Sequence, residues 1–246
     1  VIGILRRVAD FAWRHDKHGV VRFLRRLRSR FFAENPPNTT IAVSQLEDKL
    51  AFLRAHYAGR RDLRILEIGP WTGTHSLFIE RFFEPAHLTF VERPGRGRED
   101  LFAPWIGRIR CSHRIVHSDL LLARELLEEP PFDVIFCLGV VYHNVEYFKT
   151  FHFLRRLLRD GGHLVLGTVL TYDRRPVVVI RYAKGQLHDF TRPSRAAVEV
   201  MLEMTGFEKV KSFDLPFPNQ RGLFVYRAGE KMPVVEGACA FGGSIV

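Results

Sequence analysis

The sequence predicts a doubly wound α/β domain, and three observations carry that expectation. Strand-like and helix-like runs alternate from about residue 63 to residue 169, a length of 246 residues suits a single unit of this kind, and 46% hydrophobic content can bury its core. Alternation of this kind implies a parallel sheet with helices on both faces.

Strands are expected at 63–68, 87–92, 113–117, 132–138 and 162–169, and helices near 74–84, 98–106, 120–129 and 146–159. Ser44 followed by Glu47 reads as a capping box opening a helix through about His56. After a helix at 194–205 and a stop at Gly206, runs at 207–214 and 222–228 follow with no helical pattern between them, which predicts an antiparallel hairpin at the sheet edge. The stretch Asn35-Pro36-Pro37-Asn38-Thr39-Thr40 interrupts helical periodicity and is the linker candidate. The expected organisation is a basic amphipathic extension and linker at 1–40, the main domain at 41–230 and a tail at 231–246.

Charge is uneven. Residues 1–32 hold nine Lys and Arg against Asp10 and Asp16, a local +7 of the chain's +10. The arginines read first as the solvated face of a cap helix, with a membrane-surface or partner-binding helix and a nucleic-acid contact as alternatives. No apolar run of about 18 residues appears and the N-terminus lacks a secretory pattern, so a cytoplasmic protein without a transmembrane segment is expected. Cys111, Cys137 and Cys239 lie far apart with no ligand spacing, which argues against a disulfide framework or a metal site. Nothing in the residues fixes an oligomeric state.

The chemistry-bearing stretch is Leu66-Glu-Ile-Gly-Pro-Trp-Thr-Gly-Thr74. In an open parallel sheet the first strand-to-helix turn meets the ligand. A dinucleotide turn would need G-x-G-x-x-G, and counting from Gly69 the positions of the second and third glycines are Trp71 and Thr74. The spacing kept is acid-x-Gly-x-x-x-Gly, Glu67 to Gly69 to Gly73. A second acid, Glu92, closes the strand "HLTFVE" 25 positions after Glu67, where a carboxylate can accept both hydroxyls of a ribose. A third, Asp119, follows "RIVHS" and is placed to reach an adenine amino group, and "FDVIFCLGVVYHN" opens into Gly139, Tyr142 and His143. Each acid alone is as readily a helix cap or turn residue; their order at successive strand ends is the signal.

With "LEIGPWTG", "FVE", "HSDL", "FDVIFCLGVVYHN" and "LLRDGGHLVLGT", the sequence resembles the class I S-adenosylmethionine-dependent methyltransferases over roughly residues 44–228. The resemblance implies a Rossmann-like, seven-stranded sheet with its last strand antiparallel. It assigns Glu67, Gly69 and Gly73, with Pro70, to the methionine portion of S-adenosyl-L-methionine, Glu92 to the ribose, Asp119 to the adenine, and Leu138 and Gly139 to the same cofactor site. A narrower likeness, through "GVVYH", "GGHLVLGT", "RYAKGQLHDFTRPS", "LEMTGF" and "PFPNQRG", is to the tRNA uridine-34 carboxymethyltransferases and their relatives. Those enzymes use a carboxylated form of the cofactor, and the likeness matches Tyr142 and Arg221 to residues that hold the extra carboxylate. Where that family carries cysteine-glycine in the loop, this chain has Pro70-Trp71, and the family's cofactor-carboxylate lysine has no match, which favours ordinary methyl transfer.

Methyl transfer is an in-line displacement, so the protein mainly aligns the reactants and excludes water. His143 is the candidate base for an acceptor that must lose a proton, because its ordinary pKa is near neutral, and Tyr142 is the candidate for shaping the cofactor site or orienting the acceptor. A histidine held by loop backbone and a packed aromatic are the plainer readings of the two. The segment 170–194, with Tyr172, Arg174, Arg175, Arg181, Tyr182, Lys184 and His188, is expected to cover the cleft, with Arg181 and Tyr182 as acceptor contacts; a solvated strip explains it equally well. A small-molecule hydroxyl or amine is the favoured acceptor and tRNA, engaged through residues 1–32, the alternative. Trp71 is expected to point away from the cofactor backbone, packing on a helix or walling the acceptor pocket.

Overall fold

The computed structural model describes residues 41–95, 105–180, 191–215 and 221–230. The chain divides into two compact units after Ala42. Nearly all of the first unit, including the basic segment and the linker, lies outside the described residues, as do residues 98–104 of the helix expected near 98–106 and the tail from 231.

The second unit is built on a seven-stranded sheet. In chain order its elements are α1 (Val43–His56), β1 (Arg64–Ile68), α2 (Thr74–Phe83), β2 (His87–Glu92), β3 (Ser112–His117), β4 (Phe132–Leu138), α3 (Tyr147–Leu157), β5 (Leu158–Val169), β6 (Val178–Ile180), β7 (Thr191–Pro193), α4 (Arg195–Met204), β8 (Phe207–Leu215) and β9 (Arg221–Ala228). The sheet order is β3-β2-β1-β4-β5-β9-β8, with β6 and β7 forming a separate two-stranded sheet. Strands β1 to β5 pair in parallel, while β9 runs antiparallel to both β5 and β8. The terminal hairpin is therefore present, with its second strand inserted beside β5 and its first at the edge.

Burial follows the expected pattern. All seven residues of β4 and nearly all of β1 and β2 are buried, as a sheet covered on both faces requires. Alternate side chains go to opposite faces: Leu66, Ile135, Cys137, Leu164 and Leu166 join one core with Phe151, Leu154, Val198 and Leu202 of α3 and α4. Phe136, between Ile135 and Cys137, instead meets the ring of Phe83 of α2 at 5.6 Å. The edge strands β3 and β8 carry the exposed and charged positions, which blunts them against further pairing.

At the amino ends of the strands a polar cluster ties α1 to the sheet. Buried Asp133 accepts the Arg64 N–H at 2.7 Å and pairs with Arg159 at 2.5 Å and Arg60 at 3.2 Å. The Tyr57 hydroxyl donates to the Asp133 carbonyl at 3.0 Å, so at 2.7 Å it accepts from Nδ1–H of His163, which fixes the tautomer of that imidazole.

Two local expectations are corrected. The helix opened by Ser44 begins at Val43, so Ser44 lies inside the first turn and is no N-cap. The stretch 120–129 forms two short 3₁₀ turns, Leu120–Leu122 and Arg124–Leu127, the first capped by the Asp119 side chain, in place of one helix. The segment 170–194 carries β6 and β7, an antiparallel pair whose three-residue strands are too short for a periodic signal.

Candidate cofactor and active site

Strand order reverses between β1, which continues outward to β2 and β3, and β4, which starts the other half. The crevice outside their carboxyl ends is where such sheets take ligands. The turns after β1 and β4 meet there: a Cβ on Gly69 would lie 2.8 Å from Cγ2 of Val140. Gly69, at φ +67°, donates its N–H to the Val91 carbonyl at 2.8 Å, and Gly139, at φ +82°, donates to that of Gly167 at 2.8 Å. Each glycine lets its strand turn sharply while remaining tied to the next strand.

Between Gly69 and Gly73 the chain makes a tight turn closed by the Gly73 N–H on the Pro70 carbonyl at 2.9 Å, with Pro70 buried. Trp71 adopts φ +46°, in the left-handed region, and its indole is 45% exposed. The Trp71 backbone N–H donates to Oε2 of Glu92 at 3.1 Å, and the Trp71 carbonyl accepts Nε1–H of Trp105 at 3.1 Å. Trp105 is buried beneath the turn, edge-on to Phe90 at 5.4 Å.

Glu67 is buried at the end of β1 and accepts the Ser76 hydroxyl at 2.5 Å. Burial pushes its carboxyl up to about 8, opposed by the Ser76 hydrogen bond and reinforced by the Glu92 charge. Glu92, buried at the end of β2, also accepts the Arg93 N–H at 3.1 Å. Asp119 follows β3, whose last residue is in register with Glu92. It caps the first 3₁₀ turn by accepting the Leu121 N–H at 3.4 Å, and its other oxygen lies 3.9 Å from Nε of Arg93. Half exposed, its carboxylate combines the capping role with a position in line with the other two acids.

After Leu138, buried at the end of β4, and Gly139, residues Val141–His143 form a 3₁₀ turn. Tyr142 is buried and His143 exposed, with ring centroids 4.2 Å apart. Arg221 opens β9 opposite Val169, at the same end of the sheet as the crevice. Arg181 and Tyr182 lie outside the described residues.

Sequence reasoning missed the parts that hold these turns. Besides Trp105, they are Thr191 and Tyr147. The Tyr147 hydroxyl lies 2.6 Å from Oγ1 of Thr191, and the Thr191 hydroxyl reaches the carbonyls of Tyr142 and Asn144, each at 3.2 Å. With its one proton shared between those carbonyls, Thr191 accepts from Tyr147. Ser194 caps α4 by accepting the Ala197 N–H at 3.0 Å and donates to the Arg175 carbonyl at 2.6 Å. The only sequence signal was the "TRPS" segment, whose partners are remote in the chain.

Among the described residues no cluster of three or more metal-ligating side chains is present, and no helix is long and apolar enough to cross a membrane. Burial pushes the Cys111 and Cys137 thiols up to about 12, far from thiolate chemistry at neutral pH.

Comparison with known proteins agrees with this architecture. Residues 13–212 match a family described as "Methyltransferase domain". A tRNA U34 carboxymethyltransferase from Shewanella sediminis is 36% identical over 112 residues, covering 45% of this chain and 34% of the relative. One from Aliivibrio salmonicida is 30% identical over 169 residues, covering 65% and 49%. The chain thus spans about half the length, or less, of the curated relatives it matches. Among solved structures, CurJ carbon methyltransferase aligns with a TM-score of 0.58 at 19% identity, covering 76% of this chain and 54% of its own. The N-methyltransferase NodS from Bradyrhizobium japonicum WM9 aligns at 0.56 and 17%, covering 79% and 99%. The chain belongs to the methyltransferase-domain family and has the fold of the S-adenosylmethionine-dependent methyltransferases.

Proposed function

We propose that this protein transfers a methyl group from S-adenosyl-L-methionine to a hydroxyl or amine of a small molecule. The observation that carries the reading is the pair of buried carboxylates, Glu67 and Glu92, beside a glycine turn at the reversal point of the sheet. A buried acid pushed up to about 8 is a group that an incoming ammonium would stabilise in its charged form, which is what the amino group of the cofactor's methionine portion offers.

When bound, the cofactor supplies an electrophilic methyl on a sulfonium. Glu67 and the Gly69–Gly73 turn would hold its amino-acid portion, Glu92 its sugar hydroxyls, and Asp119, Leu138 and Gly139 the base. His143, exposed on the turn after β4, would take the acceptor's proton on a ring nitrogen, while buried Tyr142 orients what approaches the crevice. Arg221, Arg181 and Tyr182 are proposed acceptor contacts. Calorimetry with S-adenosylhomocysteine tests the assignment: micromolar binding is expected, and no heat at high micromolar ligand overturns it.

A second reading, modification of tRNA with an ordinary or carboxylated cofactor, is favoured by the names of the curated relatives. It gives the nine basic residues within 1–32 a phosphate-binding role. Salt-sensitive tRNA binding that is lost on deleting residues 1–32 would favour it over the small-molecule reading, and mass spectrometry of the co-purifying nucleoside distinguishes the two cofactors.

A further inference from the structure

Trp71 is one of two residues other than glycine with positive φ among the described residues. The other, Glu84, is the C-cap of α2, a position where the left-handed conformation is the common way to end a helix. Trp71 has no such reason. A bulky side chain in that region costs about 1–2 kcal/mol, which a glycine avoids. The side chain is not fully packed away: the residue keeps 45% of its surface exposed, which leaves part of it open to a ligand. Nor does the turn need the side chain: both of its hydrogen bonds, to Glu92 and from Trp105, use backbone atoms that any residue supplies. A bulky, half-exposed residue at a left-handed turn position that a glycine would fill without strain, beside a buried carboxylate, is a candidate for ligand contact.

The position identifies the ligand group. The Trp71 nitrogen lies 3.1 Å from Oε2 of Glu92. A sugar hydroxyl donating to that oxygen therefore lies no more than about 8 Å from the Trp71 Cβ, within reach of a contact from an indole. We propose that Trp71 is a nucleoside-binding residue whose indole lies over the apolar face of the ribose held by Glu92 and shields the Glu92 hydrogen bonds from water. The inference rests on the cofactor reading above and adds to it a contact that a glycine at this position cannot make.

The test is calorimetric titration with S-adenosylhomocysteine, run beside thermal melts of the ligand-free protein, for the unaltered chain, Trp71→Gly and Trp71→Phe. The expected result is a Kd raised about five- to ten-fold in Trp71→Gly, with a ligand-free melting temperature unchanged or higher, and recovery to within about three-fold in Trp71→Phe. Binding by Trp71→Gly as tight as the unaltered chain's overturns the inference. So does weaker binding accompanied by a lower ligand-free melting temperature, which assigns the indole to holding the turn. Absence of binding by the unaltered chain overturns the cofactor reading instead, and removes the basis of the inference with it.

Discussion

The indole of Trp105 lies against Gly73 so closely that a Cβ at position 73 would fall 1.9 Å from Cδ2. The same indole donates to the Trp71 carbonyl, so one buried side chain supports both the middle of the turn and its Gly73 end. Gly73, at φ +69°, is also required by its backbone. Gly73→Ala is expected to cost about 2–4 kcal/mol, from left-handed strain plus overpacking, and to abolish S-adenosylhomocysteine binding. Chemical denaturation and calorimetry check the two effects, and a variant of unchanged stability would show that Trp105 yields.

Glu67 links the cofactor site to pH. Its carboxyl, ordinarily near 4.5, is pushed up to about 8 by burial. Between those values the folded chain holds a proton that the unfolded chain has released, so stability falls as pH rises through that window. Glu67→Gln removes this slope and is expected to melt higher than the unaltered chain at pH 8, the gap closing towards pH 5. Cofactor affinity should run the other way, strengthening as pH climbs towards 8, because Glu67 must be charged to receive an ammonium. Calorimetry in buffers of differing ionisation heat reads the released proton.

The His163 imidazole gives an acid limit at the opposite end of the strands. Burial and the neighbouring His56, Arg227 and Arg159 lower its pKa from 6.5 to about 4. The unfolded chain therefore binds a proton that the folded chain refuses, and stability is lost as pH falls from 6.5 towards 4, by on the order of 2 kcal/mol. Replacing His163 by Gln, which keeps a donor for the Tyr57 hydroxyl, should flatten the acid limb in urea titrations. An unchanged limb would point to the carboxylates.

Thr191 sets the turn that carries Tyr142 and His143. Thr191→Val removes the hydroxyl from the Tyr142 and Asn144 carbonyls and from Tyr147, while keeping the shape. Turnover is expected to fall about ten-fold or more with S-adenosylhomocysteine affinity preserved, since a shift of the turn misplaces the acceptor side only. Thr191→Ser should restore most of it. Equal losses in turnover and cofactor affinity would mean that the two turns move together.

Glu92→Ala should weaken S-adenosylhomocysteine by about 1–3 kcal/mol through lost charged hydrogen bonds. It also removes the acceptor for the Trp71 N–H, so combining it with Trp71→Gly should cost less than the sum of the single changes. Additive losses would separate the two residues.

The sequence by itself determined the parallel core, the terminal hairpin and the order of the acids along the chain. Strand ends and buried strands leave local traces: a continuous apolar run such as Val134–Leu138 reads as a covered strand or a buried helix, and its length and flanks decide. Only the tertiary structure decided which residues hold the turns. Trp105 serves Gly73 and Trp71 from more than thirty positions away, and Thr191 reaches Tyr142 across forty-nine, separations at which a side chain leaves no periodic or spacing signal. The same holds for the 3₁₀ turns after Asp119 and for the strained φ of Trp71. Helical periodicity is a property of the residues, whereas the room left between two strands and the shape of a turn are set by what packs on them.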